Sequence, residues 1–151
     1  MDNSRYLFRG KRLDDREWVV GNLVIGEIGG CWILQIKMKS RKNRDGDLEI
    51  SEKVYEYAID GETVGQCTGL YAAKSYMGEG EEDRLIWEGD IANDEIGKGV
   101  IRYIDGAFGL HYLEPYDKDW LSTLLLVACG DDDICEVEII GNIHDEQEAA
   151  Q

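Results

Sequence analysis

Proline and histidine are scarce in this chain: one proline, Pro115, and two histidines, His111 and His144, in 151 residues. A histidine-based triad or a two-histidine metal site would have to draw on that pair, and neither H-x-x-x-H nor H-x-H spacing occurs. Both histidines are therefore expected on the surface. No serine sits in a G-x-S-x-G turn, since Ser75 lies in AAKSYMG and Ser122 in WLSTL. The glycine-rich stretch at 26–30 (GEIGG) is acidic and lacks the lysine and hydroxyl of a phosphate loop. It reads as a hairpin turn. No run approaches the roughly 20 apolar residues that span a bilayer, and the opening MDNSRYLFRGKRLDD has no apolar signal-peptide core. A cytoplasmic location follows as the expectation.

The four cysteines, Cys31, Cys67, Cys129 and Cys135, are irregularly spaced. In a chain without a secretory signal they are expected to be thiols, mostly buried, and x5 between the last two is a poor zinc spacing. Three adjacent aspartates, Asp131, Asp132 and Asp133, diverge into water, whereas calcium loops place carboxylates at alternate positions. Carboxylate pairs such as Glu88 with Asp90, or Glu136 with Glu138, can share a strand face, but an acidic chain is full of them. No catalytic residue, cofactor or metal is assigned, and a non-enzymatic protein is expected.

Abundant instead are acid and glycine: 32 Asp and Glu against 16 Lys and Arg, a net charge of −16, and 18 glycines. The acidity is lopsided. Residues 1–50 hold ten Lys and Arg against eight Asp and Glu, and the remainder holds six against 24. Duplex DNA would be repelled by the larger part, because affinity for phosphates comes from Lys and Arg displacing counterions.

Aromatic and β-branched residues fall in short runs separated by turn formers, the signature of strands and tight turns. Strands are expected at 5–9 (RYLFR), 17–25 (EWVVGNLVI) and 31–38 (CWILQIKM), with 10–16 as a polar connection between the first two. Residues 39–47 (KSRKNRDGD) read as a basic loop, 54–59 (VYEYAI) as a strand with Tyr55 and Tyr57 on one face, and Asp60-Gly61 as a turn. Residues 69–84 read as a loop or mobile connector. Strands follow at 85–92, 99–103 and 135–143, and 108–113 returns from 99–103 through Asp105-Gly106. The leucines of 120–128 (WLSTLLLVA) fit a short helix, and 144–151 a polar, helical tail. One core can bury roughly 70% of the unfolded surface at this length, so the chain should fold unaided.

Three segments in order carry a family resemblance: 8–24 (FRGKRLDDREWVVGNLV); 64–70 (VGQCTGL) with 87–91 (WEGDI); and 139–148 (IIGNIHDEQE). Together the chain resembles the YopX-like proteins of phages and prophages, whose middle signature is similar to G-Q-x-T-G-L, a connector, then an aromatic-E-G-D-I/V stretch, with an I-G-N-I stretch near the end. It departs from that pattern at Cys67, where an aromatic is more typical, and in 71–84, which is longer and more acidic. The resemblance implies a β-rich fold, with a C-terminal half similar to a Src-homology-3-type barrel, in a bacterial host cell. It implies no activity. Locally, Gly69, Gly89 and Gly141 with Thr68, Asp90 and Asn142 read as turn architecture, and Trp87, Glu88 and Asp90 at a barrel rim are the ligand-facing alternative.

The reading of the sequence is thus a mainly β protein: an antiparallel N-terminal lobe over 1–70, an acidic glycine-rich connector over 71–84 and an SH3-like small barrel over 85–151, with little helix. Its expected function is to bind a protein partner, basic or DNA-binding, through an acidic surface formed by Glu79, Glu81, Glu82, Asp83, Asp131, Asp132 and Asp133, a DNA mimic in its sharpest form. The alternatives are nucleic-acid binding through Arg41, Lys42 and Arg44, with Tyr55 and Tyr57 for stacking, and a homo-oligomeric structural component using apolar strand surfaces.

Overall fold

The computed structural model describes residues 3–113, 122–124 and 132–149, with 122–124, 147 and 148 described by backbone alone. It is mainly β. The described residues form ten strands, β1 (Phe8–Arg12), β2 (Trp18–Ile25), β3 (Cys31–Lys42), β4 (Leu48–Ser75), β5 (Leu85–Trp87), β6 (Asp90–Asn93), β7 (Lys98–Ile104), β8 (Ala107–Tyr112), β9 (Ser122–Leu124) and β10 (Ile134–Asn142), and one helix, α1 (Ile143–Ala149). Two compact units result, Leu7–Val64 and, with the N-terminal Met1–Tyr6, Gly65–Gln151. Strand β4 contributes residues to each.

In the first unit β1, β2, β3 and β4 pair in that order, antiparallel, and β1 also pairs with β4. Alternation sets which side chains go inward: Val19, Ile33 and Ile59 are buried, with Phe8, Leu23, Tyr57 and Val64 packed against them. Two cations are held on Trp18, the Arg9 guanidinium carbon 4.6 Å and Lys11 Nζ 5.3 Å from its ring centre. In the second unit the order is β4, β10, β6, β7, β8, β9, with β5 on the other side of β4; the β4 and β10 pair is parallel and the rest are antiparallel. Its core is Ala72, Ile86, Ala92, Ile101, Leu110, Tyr112, Cys135, Val137 and Ile139. Burying an Ile or Leu side chain there contributes about 1.5–3 kcal/mol.

Several elements differ from their expected form. The first strand begins at Phe8 and takes in Gly10 to Arg12, while Ser4–Tyr6 is a 3-10 turn. Residues 39–42 are not loop: β3 continues to Lys42 because each residue finds a partner across the hairpin, Lys42 facing Leu48. The reversal is confined to 43–47, where Asn43 Oδ1 accepts from the amides of Asp45 and Asp47 and Gly46 takes φ 86°. Asp60-Gly61 does not turn the chain. Its turn chemistry is absorbed inside β4, where Thr63 Oγ1 donates to the Asp60 carbonyl at 2.7 Å. Residues 71–75 belong to β4 rather than to a connector, because β10 supplies a ladder partner distant in sequence. Ser122 to Leu124 is a strand on β8, not helix, and the rest of the 120–128 expectation lies outside the described residues. Cys135 is disulfide-bonded, which corrects the expectation of four thiols; Cys31 and Cys67 are not cross-linked. The hairpin at Asp105-Gly106 stands as expected, both residues at positive φ (55° and 84°).

Candidate interaction surfaces

The signature segments of the second unit, dispersed along the sequence, meet in one network. Asp90 is buried at the start of β6. Its Oδ2 accepts from the Trp87 amide at 2.8 Å and its Oδ1 from Asn142 Nδ2 at 3.3 Å. Asn142 Oδ1 in turn accepts from the His144 amide at 2.9 Å. Between them Gly89 takes φ 89°, donates to the Ile101 carbonyl and accepts from the Ile143 amide. A side chain there is strained by that φ. The GQCTGL stretch lies beside the same turn: Cys67 pairs with Trp87, Thr68 Oγ1 donates to the Ile86 carbonyl at 2.8 Å, and the Glu88 amide donates to the Gln66 carbonyl.

Chemically this network is a clasp. Both Asp90 oxygens accept internal hydrogen bonds and the residue is 2% exposed, so it cannot face a ligand, and Trp87 is 6% exposed. The carboxylate pair of Glu88 and Asp90 is therefore divided between a half-buried turn residue and a buried one. Glu136 and Glu138 do share the outward face of β10, alternating with buried Cys135, Val137 and Ile139. Among the described residues no group of three or more His, Cys, Asp or Glu converges as a metal site.

The histidines also depart from their expected place. His111 on β8 and His144 on α1 are half-buried. Burial, with Arg102 adding to it, holds the His111 imidazole below its ordinary pKa of 6.5. His144 serves through its backbone amide in the clasp.

Of the acidic residues expected to form a surface, Glu82 and Asp83 sit on one side of β4 and Asp132 and Asp133 on the other. Tyr71 of β4 pairs with Leu85 of β5 on one side and Ile134 of β10 on the other. Two strand spacings, about 10 Å, separate those neighbours. Glu82 and Asp83 lie in the 3-10 turn that leads into Leu85, and Asp132 and Asp133 immediately precede Ile134. Glu79, Glu81, Glu82, Asp83, Asp132 and Asp133 are all exposed; Asp131 lies outside the described residues. Asp83 has a second role: a Cβ on Gly78 or Gly80 would stand 2.6 or 2.8 Å from its Oδ2, so only glycine lets the loop come this close to the carboxylate.

In the first unit the β3–β4 hairpin gathers charge of the other sign. Lys37 faces Lys53, Lys39 faces Ser51 and Arg41 faces Glu49, all on the face that carries Tyr55. Lys37 and Lys53 place their ammoniums 5.2 and 5.0 Å from the Tyr55 ring centre, and Arg41 Nε bonds Glu49 at 2.9 Å. Lys42 falls on the opposite face, facing Leu48. A concavity of about 560 Å³ runs along this ribbon, lined by Lys39, Ser40, Arg41, Glu49, Ile50 and Ser51. Its walls are exposed residues of a single hairpin, too open to enclose a small molecule. Sequence reasoning found the basic residues by composition but missed Lys37 and Lys53, which only the strand register adds to the group.

Comparison with curated proteins and with solved structures gave no match. The family model described as YopX protein matches residues 7–149, a span that takes in every signature segment of the clasp, and the chain belongs to the YopX family.

Proposed function

We propose that this YopX-family chain is a non-enzymatic binding protein whose second unit presents an acidic surface to a basic, DNA-binding protein partner in the bacterial cytoplasm. The observation that carries this reading is the placement of Glu82 just before β5 on one side of β4 and of Asp132 and Asp133 just before β10 on the other, all exposed, with Glu79 and Glu81 exposed in the loop between β4 and β5. The unit around them holds six Lys and Arg against 21 Asp and Glu. Such a field steers a cationic partner and sets association rate and specificity more than affinity. Its extreme form is imitation of the phosphate array of DNA. Among the described residues no helix is long and apolar enough to cross a membrane.

Nucleic-acid binding by the basic face of the β3–β4 hairpin is the second reading, favoured by the gathering of Lys37, Lys39, Arg41 and Lys53 on one face. It is the weaker one. The Tyr55 ring already carries two ammoniums and Arg41 is neutralised by Glu49, which leaves less for stacking and for phosphate.

The test is capture from host extract by the purified protein and by a Glu79→Gln/Glu81→Gln/Glu82→Gln/Asp132→Asn variant, which leaves the structural Asp83 in place. A defined basic protein held by the wild type and lost by the variant supports the acidic-surface reading. Equal retention by both would overturn the acidic-surface reading, and retention of labelled single-stranded DNA that Lys37→Glu/Lys53→Glu abolishes would transfer the function to the hairpin.

A further inference from the structure

The last residue of β3 that pairs with β2 is Leu34, which faces Asn22; from there to Lys42, β3 pairs with β4 alone among the described residues. The result is a two-stranded arm, residues 36–54. Its register puts Ile36 opposite Val54, Met38 opposite Glu52, Ser40 opposite Ile50 and Lys42 opposite Leu48, all on one face. The apolar members of that face are open to solvent: Ile36 63%, Met38 74%, Leu48 63%, Ile50 62% and Val54 54% exposed. A two-stranded hairpin is marginally stable by itself in water, and a contiguous apolar patch on a soluble chain marks a contact surface.

We propose that this face packs against the same face of a second copy of the chain, arm to arm. Charge chooses the occupant. The arm holds six Lys and Arg against four Asp and Glu, while the rest of the molecule holds ten against 28. Two copies repel each other least at the arm, whose net +2 is small beside the −18 of the remainder. The apolar face itself carries one charge of each sign, Lys42 and Glu52, placed one row either side of the row formed by Ser40 and Ile50. A twofold axis through that row stacks the two ribbons antiparallel and brings Lys42 of each copy into the layer of Glu52 of the other. The face is self-complementary in charge as well as apolarity.

With the axis through the Ser40 and Ile50 row, three rows of each ribbon overlap, a small interface at or below the roughly 1,200 Å² of the weaker specific complexes, so micromolar dissociation is expected. Sedimentation equilibrium of the full chain from about 5 to about 500 µM brackets that range. The expected result is a mass that rises from 17.1 kDa toward twice that value with concentration. Ile50→Lys abolishes the rise. Lys42→Glu and Glu52→Lys each weaken association a few-fold, and the two together restore it, as no unspecific stickiness would. All three positions are exposed, so the fold is retained, which circular dichroism verifies. A mass fixed at 17.1 kDa throughout, undiminished association of Ile50→Lys, or a double swap that fails to restore it overturns the proposal. None of these variants touches the acidic surface, so the two readings stand or fall separately.

Discussion

Asp90 is the residue on which the clasp of the second unit turns, since it joins the turn after β5 to the end of β10 through two acceptor oxygens. Replacing it by Ala leaves the Trp87 amide and the Asn142 amide group without that acceptor in a buried place. The expected loss is about 1–3 kcal/mol in urea unfolding, and less for Asp90→Asn, which keeps one acceptor oxygen. An Ala variant as stable as the wild type would mean that the network is not structural. His111 supplies a pH signature. Its folded pKa lies below 6.5, so the unfolded chain takes up the proton more readily, and stability is lost as pH falls from 6.5 toward the folded value. The wild type should therefore lose melting temperature relative to His111→Gln between about pH 7.5 and about pH 5, a window that straddles the ordinary histidine pKa. The relief of acidic self-repulsion at low pH acts on both proteins and drops out of the difference. Parallel curves would remove burial as the cause.

Strands were legible where local signals agree. The alternation of 31–38 and 54–59, the Asp105-Gly106 turn and the run at 135–143 each found its place because pattern and turn chemistry point the same way. Illegible were elements made by distant partners. Residues 39–42 look like loop because their lysines and arginine hide the pairing with 48–51, and 71–75 look like connector because β10 lies some sixty residues away. The acidic residues were found by composition, yet their position on both sides of β4 is a matter of register. The clasp was half legible, its turn character visible and its joining of two distant segments not. The arm also differs from the core strands in stability. Its two strands each have one ladder partner and exposed side chains, so in dilute solution hydrogen exchange at 36–54 should run well ahead of exchange at Val100, Ile101 and Leu110. Similar protection in both would show that the arm is covered even in the monomer.

Across the molecule, charge follows the division into units. Leu7–Val64 holds ten Lys and Arg against eleven Asp and Glu and is almost neutral, whereas the other unit carries nearly all of the net −16. The clasp is built from buried groups, and the exposed Glu79, Glu81, Glu82, Asp132 and Asp133 take no part in it. Exposed charges act through solvent and are screened by salt, the Debye length falling from roughly 30 Å at about 0.01 M to roughly 3 Å at about 1 M. The most direct measurement is therefore the salt dependence of partner capture from host extract. A basic protein retained at low ionic strength and released progressively as salt rises is the predicted result. A partner that stays bound at about 1 M salt, where screening is nearly complete, or the absence of any retained protein at low salt, would contradict the acidic surface as the seat of function.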